Sequence, residues 1–178
     1  MNRMYGFEAE VKDKYTEAAY EMFQETFCAL PLAYVIMNKV LVLHGGLFSK
    51  DGVKLDDIRN INRFREPPSE TEIMTDLLWA DPQKENGRAP SKRGQGLSFG
   101  PDVTERFLDD NGLEMLIRSH EMKDEGYEIE ANGRLVTVFS APNYCGFSRN
   151  LGAYIIFEND MKPVYKQFGS SPSKTVRL

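Results

Sequence analysis

The chain contains two histidines, His44 and His120, and each follows a short apolar run. Val40-Leu41-Val42-Leu43 precedes the first, and Met115-Leu116-Ile117 leads through Arg118-Ser119 to the second. Two imidazoles delivered to one crevice can ligate a metal or act as acid and base near neutral pH. Loops at the carboxyl ends of strands form such a crevice in open α/β architectures. The plain alternative is two satisfied, partly buried histidines with nothing in common. Gly45-Gly46 weighs against it, because adjacent glycines allow positive φ and close backbone approach. Arg93, in Lys92-Arg93-Gly94, suits bidentate phosphate recognition, or else is a solvated loop charge. Tyr144 sits at the tip of Ser140-Ala141-Pro142-Asn143-Tyr144-Cys145-Gly146, where it either meets a ligand or packs on the surface. Trp79, the only tryptophan, reads as a core or edge anchor.

The elements that must position these residues read as follows. Residues 12–29 suggest one helix, since Tyr15, Ala18, Ala19, Met22, Phe23 and Phe27 recur at three- and four-residue spacing and Pro31 ends the run. Strands are expected at 34–36 and 40–43 with a turn at Asn38-Lys39; the second, apolar at every position, reads as buried on both faces. Residues 49–100 are rich in proline and glycine and read as loop, with short helical pieces at 56–60 and 71–78. A helix at 102–111 stops at Gly112, and strands follow at 115–117, 135–139 and 153–157. Residues 169–178 read as a mobile tail.

Composition narrows the class. With 178 residues, 41% hydrophobic and 28% charged, the chain fits one globular domain or a large piece of one. A net charge of −5 argues against a nucleic-acid partner, which requires a basic face. The longest apolar stretch, 27–37, is interrupted by Pro31 and is too short to span a membrane. Cys28 and Cys145 form no disulfide framework and no CxxC zinc pair, and the first residues carry no apolar signal region. A cytoplasmic or nuclear setting is expected.

Four blocks occur here in a telling order: His44-Gly45-Gly46-Leu47, Asp76-Leu77-Leu78-Trp79-Ala80-Asp81-Pro82, Arg118-Ser119-His120-Glu121, and the 140–146 loop. In that order they resemble the phosphoprotein phosphatases, the family of metal-dependent serine/threonine protein phosphatases. The resemblance implies an α/β (α+β) metallophosphoesterase-like β-sandwich flanked by helices, with residues 1–168 as the C-terminal part of its catalytic domain. It implies that His44 and His120 ligate one of two divalent metals (manganese, or iron and zinc). It implies that Arg93 holds the substrate phosphate, that Tyr144 overhangs the metals and that Tyr5 belongs to the adjoining groove. Trp79, Asp81 and Arg118 match supporting positions. The implied reaction is hydrolysis of phosphoserine and phosphothreonine by a hydroxide shared between the metals, without a phosphoenzyme. Phosphoprotein substrates are the implied partners, with regulatory subunits or chaperones beside them.

The family's Gly-Asp-x-His-Gly, Gly-Asp-x-x-Asp-Arg-Gly and Gly-Asn-His-Glu blocks are not in these residues. They carry the remaining ligands, so two of the ligands are expected in this chain and the 178 residues alone are expected to be inactive. A truncated, catalytically inactive interaction module, working through the groove around Tyr5 and Trp79, is the alternative. Cys145-Gly146-Phe147-Ser148-Arg149-Asn150 also departs from the Cys-Asp-Gln-Met-Gly-Asn and Cys-Gly-Glu-Phe loops of the family. Phe147 and Arg149 make this loop more apolar and more basic.

Overall fold

The apolar run at 40–43 forms a strand in the interior of a five-stranded sheet, and the elements around it are placed by what it buries. The computed structural model describes residues 1–67 and 72–171. Helices α1 (Phe7–Lys14) and α2 (Glu17–Ala29) lead into strands β1 (Ala33–Ile36) and β2 (Val40–Leu43). Short helices α3 (Leu55–Arg59) and α4 (Ile73–Trp79) precede β3 (Asp81–Pro82), β4 (Arg88–Pro90) and β5 (Leu97–Phe99). Helix α5 (Pro101–Asp110) is followed by β6 (Met115–Arg118), β7 (Tyr127–Glu130), β8 (Leu135–Val138), β9 (Gly152–Phe157) and β10 (Pro163–Phe168).

The main sheet runs β1-β2-β6-β8-β7. Its three inner strands are mutually parallel, and both edge strands are antiparallel to their neighbours. Alternate residues of the inner strands serve two cores, which is why their sequences are apolar without alternation. Leu41, Leu116 and Leu135 join Leu47, Phe48, Leu77, Phe99 and Leu108 on the face covered by α4, α5 and the small sheet. Val40, Ile117 and Val136 face the β9–β10 hairpin, meeting Ile155, Phe157 and Tyr165. Tyr127 and Tyr165 stack with centroids 4.7 Å apart, joining hairpin to sheet. The result is the mixed α/β architecture the resemblance implies. Among the described residues no helix is long and apolar enough to cross a membrane.

Several elements differ from expectation. The helix read over 12–29 is two helices, because Thr16 adopts an extended backbone and its hydroxyl accepts the Ala19 N–H at 3.1 Å, starting α2 afresh. No residue of α2 is buried; its aromatic side instead meets Phe7, whose ring lies 5.3 Å from Phe23 and 5.7 Å from Phe27. The loop-rich stretch contains a three-stranded sheet, β3-β5-β4, with strands of two or three residues. Strands β7 and β10 also arise where no element was read. The helix expected at 71–78 starts at Ile73, while Thr71 lies outside the described residues. Of the expected tail, 172–178 lie outside them as well.

Candidate active site

Strands β2 and β6 are parallel neighbours, with Val42 opposite Ile117, so their carboxyl ends open at the same place. His44 leaves the first and His120 the second, and the Ser119 N–H donates to the His44 carbonyl at 3.0 Å. His44 Nε2 and His120 Nδ1 then face each other across 3.0 Å. His120 holds a left-handed backbone, φ 65°, which is unusual for a side chain of its size and is a form of local strain found at functional sites.

The Gly45-Gly46 pair is explained by close approach rather than by positive φ, which neither residue adopts. Gly45 N–H donates to Leu77 O at 2.7 Å and Gly46 N–H to Asp76 O at 3.3 Å. A Cβ on Gly45 would lie 2.5 Å from the carbonyl carbon of Leu78, and one on Gly46 would collide with the ring of Phe99. The bare backbone therefore lets the end of α4 press against the His44 loop. That brings Trp79 edge-on to His120, with centroids 5.6 Å apart. Trp79 also lines a 650 Å³ groove with Tyr20, Phe27, Leu30, Met74 and Leu78.

Beneath the histidines lies Arg118, wholly buried. Its Nε donates to Gly45 O at 2.6 Å, its Nη2 to Ala80 O at 3.2 Å and to Asp81 Oδ1 at 2.7 Å, and its Nη1 to Glu121 Oε2 at 2.8 Å. The cation thus ties the His44 loop, the end of α4 and the His120 loop together. Asp81 in turn accepts from Arg93 Nε at 2.6 Å, and Arg93 Nη2 reaches the His120 carbonyl at 3.5 Å. Arg93 Nη1 has no partner among the described residues. Burial pushes the Asp81 carboxyl up, but hydrogen bonds from Arg93 and Arg118 outweigh it and hold the group below the usual carboxylate range. Burial and the cations of Arg118 and Arg93 lower His44. Burial, Arg93 and His44 lower His120 to about 4. Both rings are accordingly neutral at pH 7, the form that ligates metals.

His44, His120, Arg93, Asp81, Arg118 and Trp79 are therefore brought together. Tyr144 and Tyr5 are not joined to this cluster by a hydrogen bond or ring contact among the described residues. Tyr144 begins a short 3₁₀ turn, half exposed, with its ring edge-on to Phe139 at 5.1 Å. Tyr5 is exposed in the first turn of the chain and does not line the groove, although Arg3 does. Sequence reasoning gave no role to Glu121 or to the Gly45 carbonyl. A three-residue step from Arg118 to Glu121 signals pairing only on a helix, and Arg118 ends a strand, so nothing local marks Glu121.

The fit of a metal can be tested on the facing nitrogens. Two nitrogens each about 2.1 Å from a common ion lie about 3.0 Å apart at the right angle of an octahedral site, which matches the separation of His44 Nε2 and His120 Nδ1. His120 Nε2 is buried without a partner, leaving Nδ1 as the atom presented to its neighbour. The pair fits as one side of a metal site. Among the described residues, no group of three or more His, Cys, Asp or Glu side chains completes it.

The chain belongs to the calcineurin-like phosphoesterase family, whose profile matches residues 3–124. Within it, the chain is similar to serine/threonine-protein phosphatase 5: 61% identical over 99% of its length to the protein of Solanum lycopersicum and 56% to that of Homo sapiens. A solved protein serine/threonine phosphatase of Saccharomyces cerevisiae, described as similar to human phosphatase PP5, superposes with a TM-score of 0.91 at 44% identity. That match covers 97% of this chain and 57% of the solved one. The chain spans about a third of the length of the curated relatives, 32% of the tomato protein and 36% of the human one.

Proposed function

We propose that residues 1–168 form the C-terminal part of a serine/threonine protein phosphatase catalytic domain and that 169–178 are its tail. The observation carrying this reading is the convergence of His44 Nε2 and His120 Nδ1 beside Arg93. His44 and His120 would hold one of two divalent ions, manganese or iron and zinc, with the other ligands supplied by residues outside these 178. Such ions, when bound, supply Lewis-acid chemistry that activates water and stabilises charge on the phosphoryl group.

Arg93 is held in place by Asp81 through Nε and Nη2, so its Nη1 can grip a phosphate oxygen without first losing freedom of orientation. Tyr144 offers its hydroxyl to the same phosphate from the loop after β8, and Tyr5, exposed outside the groove, is available to the peptide that flanks the phosphate. A water oxygen bonds to phosphorus as the bond to the seryl or threonyl oxygen breaks, and the departing oxygen takes up a proton. The substrates are phosphoproteins, with regulatory subunits or chaperones as further partners. Two free cysteines support a cytoplasmic or nuclear location.

The complete polypeptide carrying this sequence tests the reading. With manganese it hydrolyses phosphoserine and phosphothreonine peptides, His120→Ala abolishes turnover, and Arg93→Ala lowers it about 10²–10³-fold. Undiminished turnover in His120→Ala overturns the ligand role. A second reading, an inactive module, applies to the isolated 178 residues and is favoured by the lack of a third ligand among the described residues. Manganese-dependent turnover by that isolated chain, lost in His44→Ala, would sink it.

A further inference from the structure

The loop between β8 and β9 carries three non-glycine residues in left-handed backbone: Asn143 at φ 50°, Cys145 at 57° and Arg149 at 56°. Side chains disfavour that region, so the surroundings must impose it. Two asparagine side chains brace it: Asn143 Oδ1 accepts the Arg149 N–H at 3.3 Å, and Asn150 makes the larger set of bonds. Asn150 is 3% exposed, and its Oδ1 accepts the Tyr144 N–H at 2.8 Å. Its Nδ2 donates to Ala141 O and to Leu151 O, both at 2.9 Å, while its own carbonyl accepts the Asn143 N–H at 2.9 Å. All the amide's hydrogen-bonding directions but one are thereby used across the two limbs of the loop.

We propose that Asn150 is the positioning residue of Tyr144: its amide locks the 141–150 loop in the strained conformation that sets the tyrosine against Phe139 and holds its hydroxyl ready for a substrate. Neither half of the amide suffices alone. The Oδ1 acceptor fixes the start of the 3₁₀ turn, and the Nδ2 donors tie that turn to the Ala141 limb and to the start of β9. Asp is isosteric at this position but would turn a carboxylate oxygen towards two carbonyl oxygens. The functional consequence rests on the role proposed for Tyr144, whereas the clamp itself can be read without any catalysis.

The test is amide exchange and proton NMR on the complete polypeptide carrying this sequence. In Asn150→Ala, the Tyr144 N–H is expected to exchange at least about tenfold faster, as a lost hydrogen bond of ordinary strength allows. The ring-current shift of Tyr144 from Phe139 is expected to collapse towards its free value. The Ala153 N–H, which donates to Phe139 O at 3.0 Å, should keep parental exchange and so report an intact sheet end. Asn150→Asp, which preserves side-chain volume, should show the same loss of the Tyr144 ring shift. A parental ring shift in either variant, or equal acceleration at Tyr144 and Ala153, overturns the proposal. A clamp that fails this test leaves the phosphatase reading untouched, and an inactive complete protein leaves the clamp result standing.

Discussion

Arg118 and Asp81 form a 2.7 Å ion pair between a wholly buried cation and a carboxylate that also holds Arg93. Removing the cation leaves Asp81 with Arg93 alone, takes the arginine partner from Glu121, and leaves the buried Gly45 and Ala80 carbonyls without their donor. Breaking a buried pair from one side costs about 3–5 kcal/mol. Arg118→Leu is therefore expected to lower stability by that amount in urea denaturation. Parental stability would show that the cluster does not hold these loops.

Gly45→Ala tests the close approach of α4 to the His44 loop. The added methyl lies within van der Waals distance of the Leu78 carbonyl carbon and the Trp79 nitrogen, both backbone atoms that cannot swing aside. Overpacking of this kind costs about 1–3 kcal/mol. Differential scanning calorimetry should show the corresponding fall in Tm, and the His120 ring resonances should shift as Trp79 moves. Unchanged resonances would contradict this coupling.

The histidine pair predicts a pH dependence. An exposed imidazole titrates near 6.5, whereas His120 in the folded chain titrates at about 4. Between those values the unfolded chain binds a proton that the folded chain refuses, so stability rises with pH through this window and is lost as pH falls. The lowered His44 acts in the same direction. Urea midpoints should decline from pH 7 to pH 4.5, and NMR titration should place His120 well below the 6.5 of an exposed imidazole. A midpoint independent of pH across that range would exclude the shift.

The separation of α1 from α2 predicts a local effect. Thr16→Ala removes the hydroxyl that accepts the Ala19 N–H, at a cost of about 1 kcal/mol. Faster amide exchange at Ala19, with Leu116 in the central strand unaffected, is the expected signature. No change at Ala19 would mean that the break at Tyr15 and Thr16 is set by other contacts.

The parts of the site legible in the sequence are those that inner strands present. Val40 to Leu43 and Met115 to Ile117 are apolar at consecutive positions because both faces of the sheet are covered, and the histidines follow at their ends. Their meeting depends on parallel pairing in register, which no local pattern encodes. Strands β3 to β5 are not legible because two or three residues cannot display alternation, and Pro82 and Pro90 argue against strands on composition. Strand β10 alternates, but with Lys166 and Gln167 on an exposed hairpin it lacks an apolar face strong enough to stand out. The apolar spacing of 12–29 was visible, yet spacing carries no information about a hydroxyl that caps a new helix at Thr16. Asn150 was invisible for a similar reason: its partners lie along an irregular loop, where no periodicity marks a buried amide.

The edge-on contact between Trp79 and His120 gives the molecule a built-in optical gauge. Indole emission is quenched by a nearby imidazolium and by many open-shell ions, and this chain has one tryptophan to emit. Fluorescence intensity is therefore expected to follow protonation or ion binding at the histidine pair, without a label.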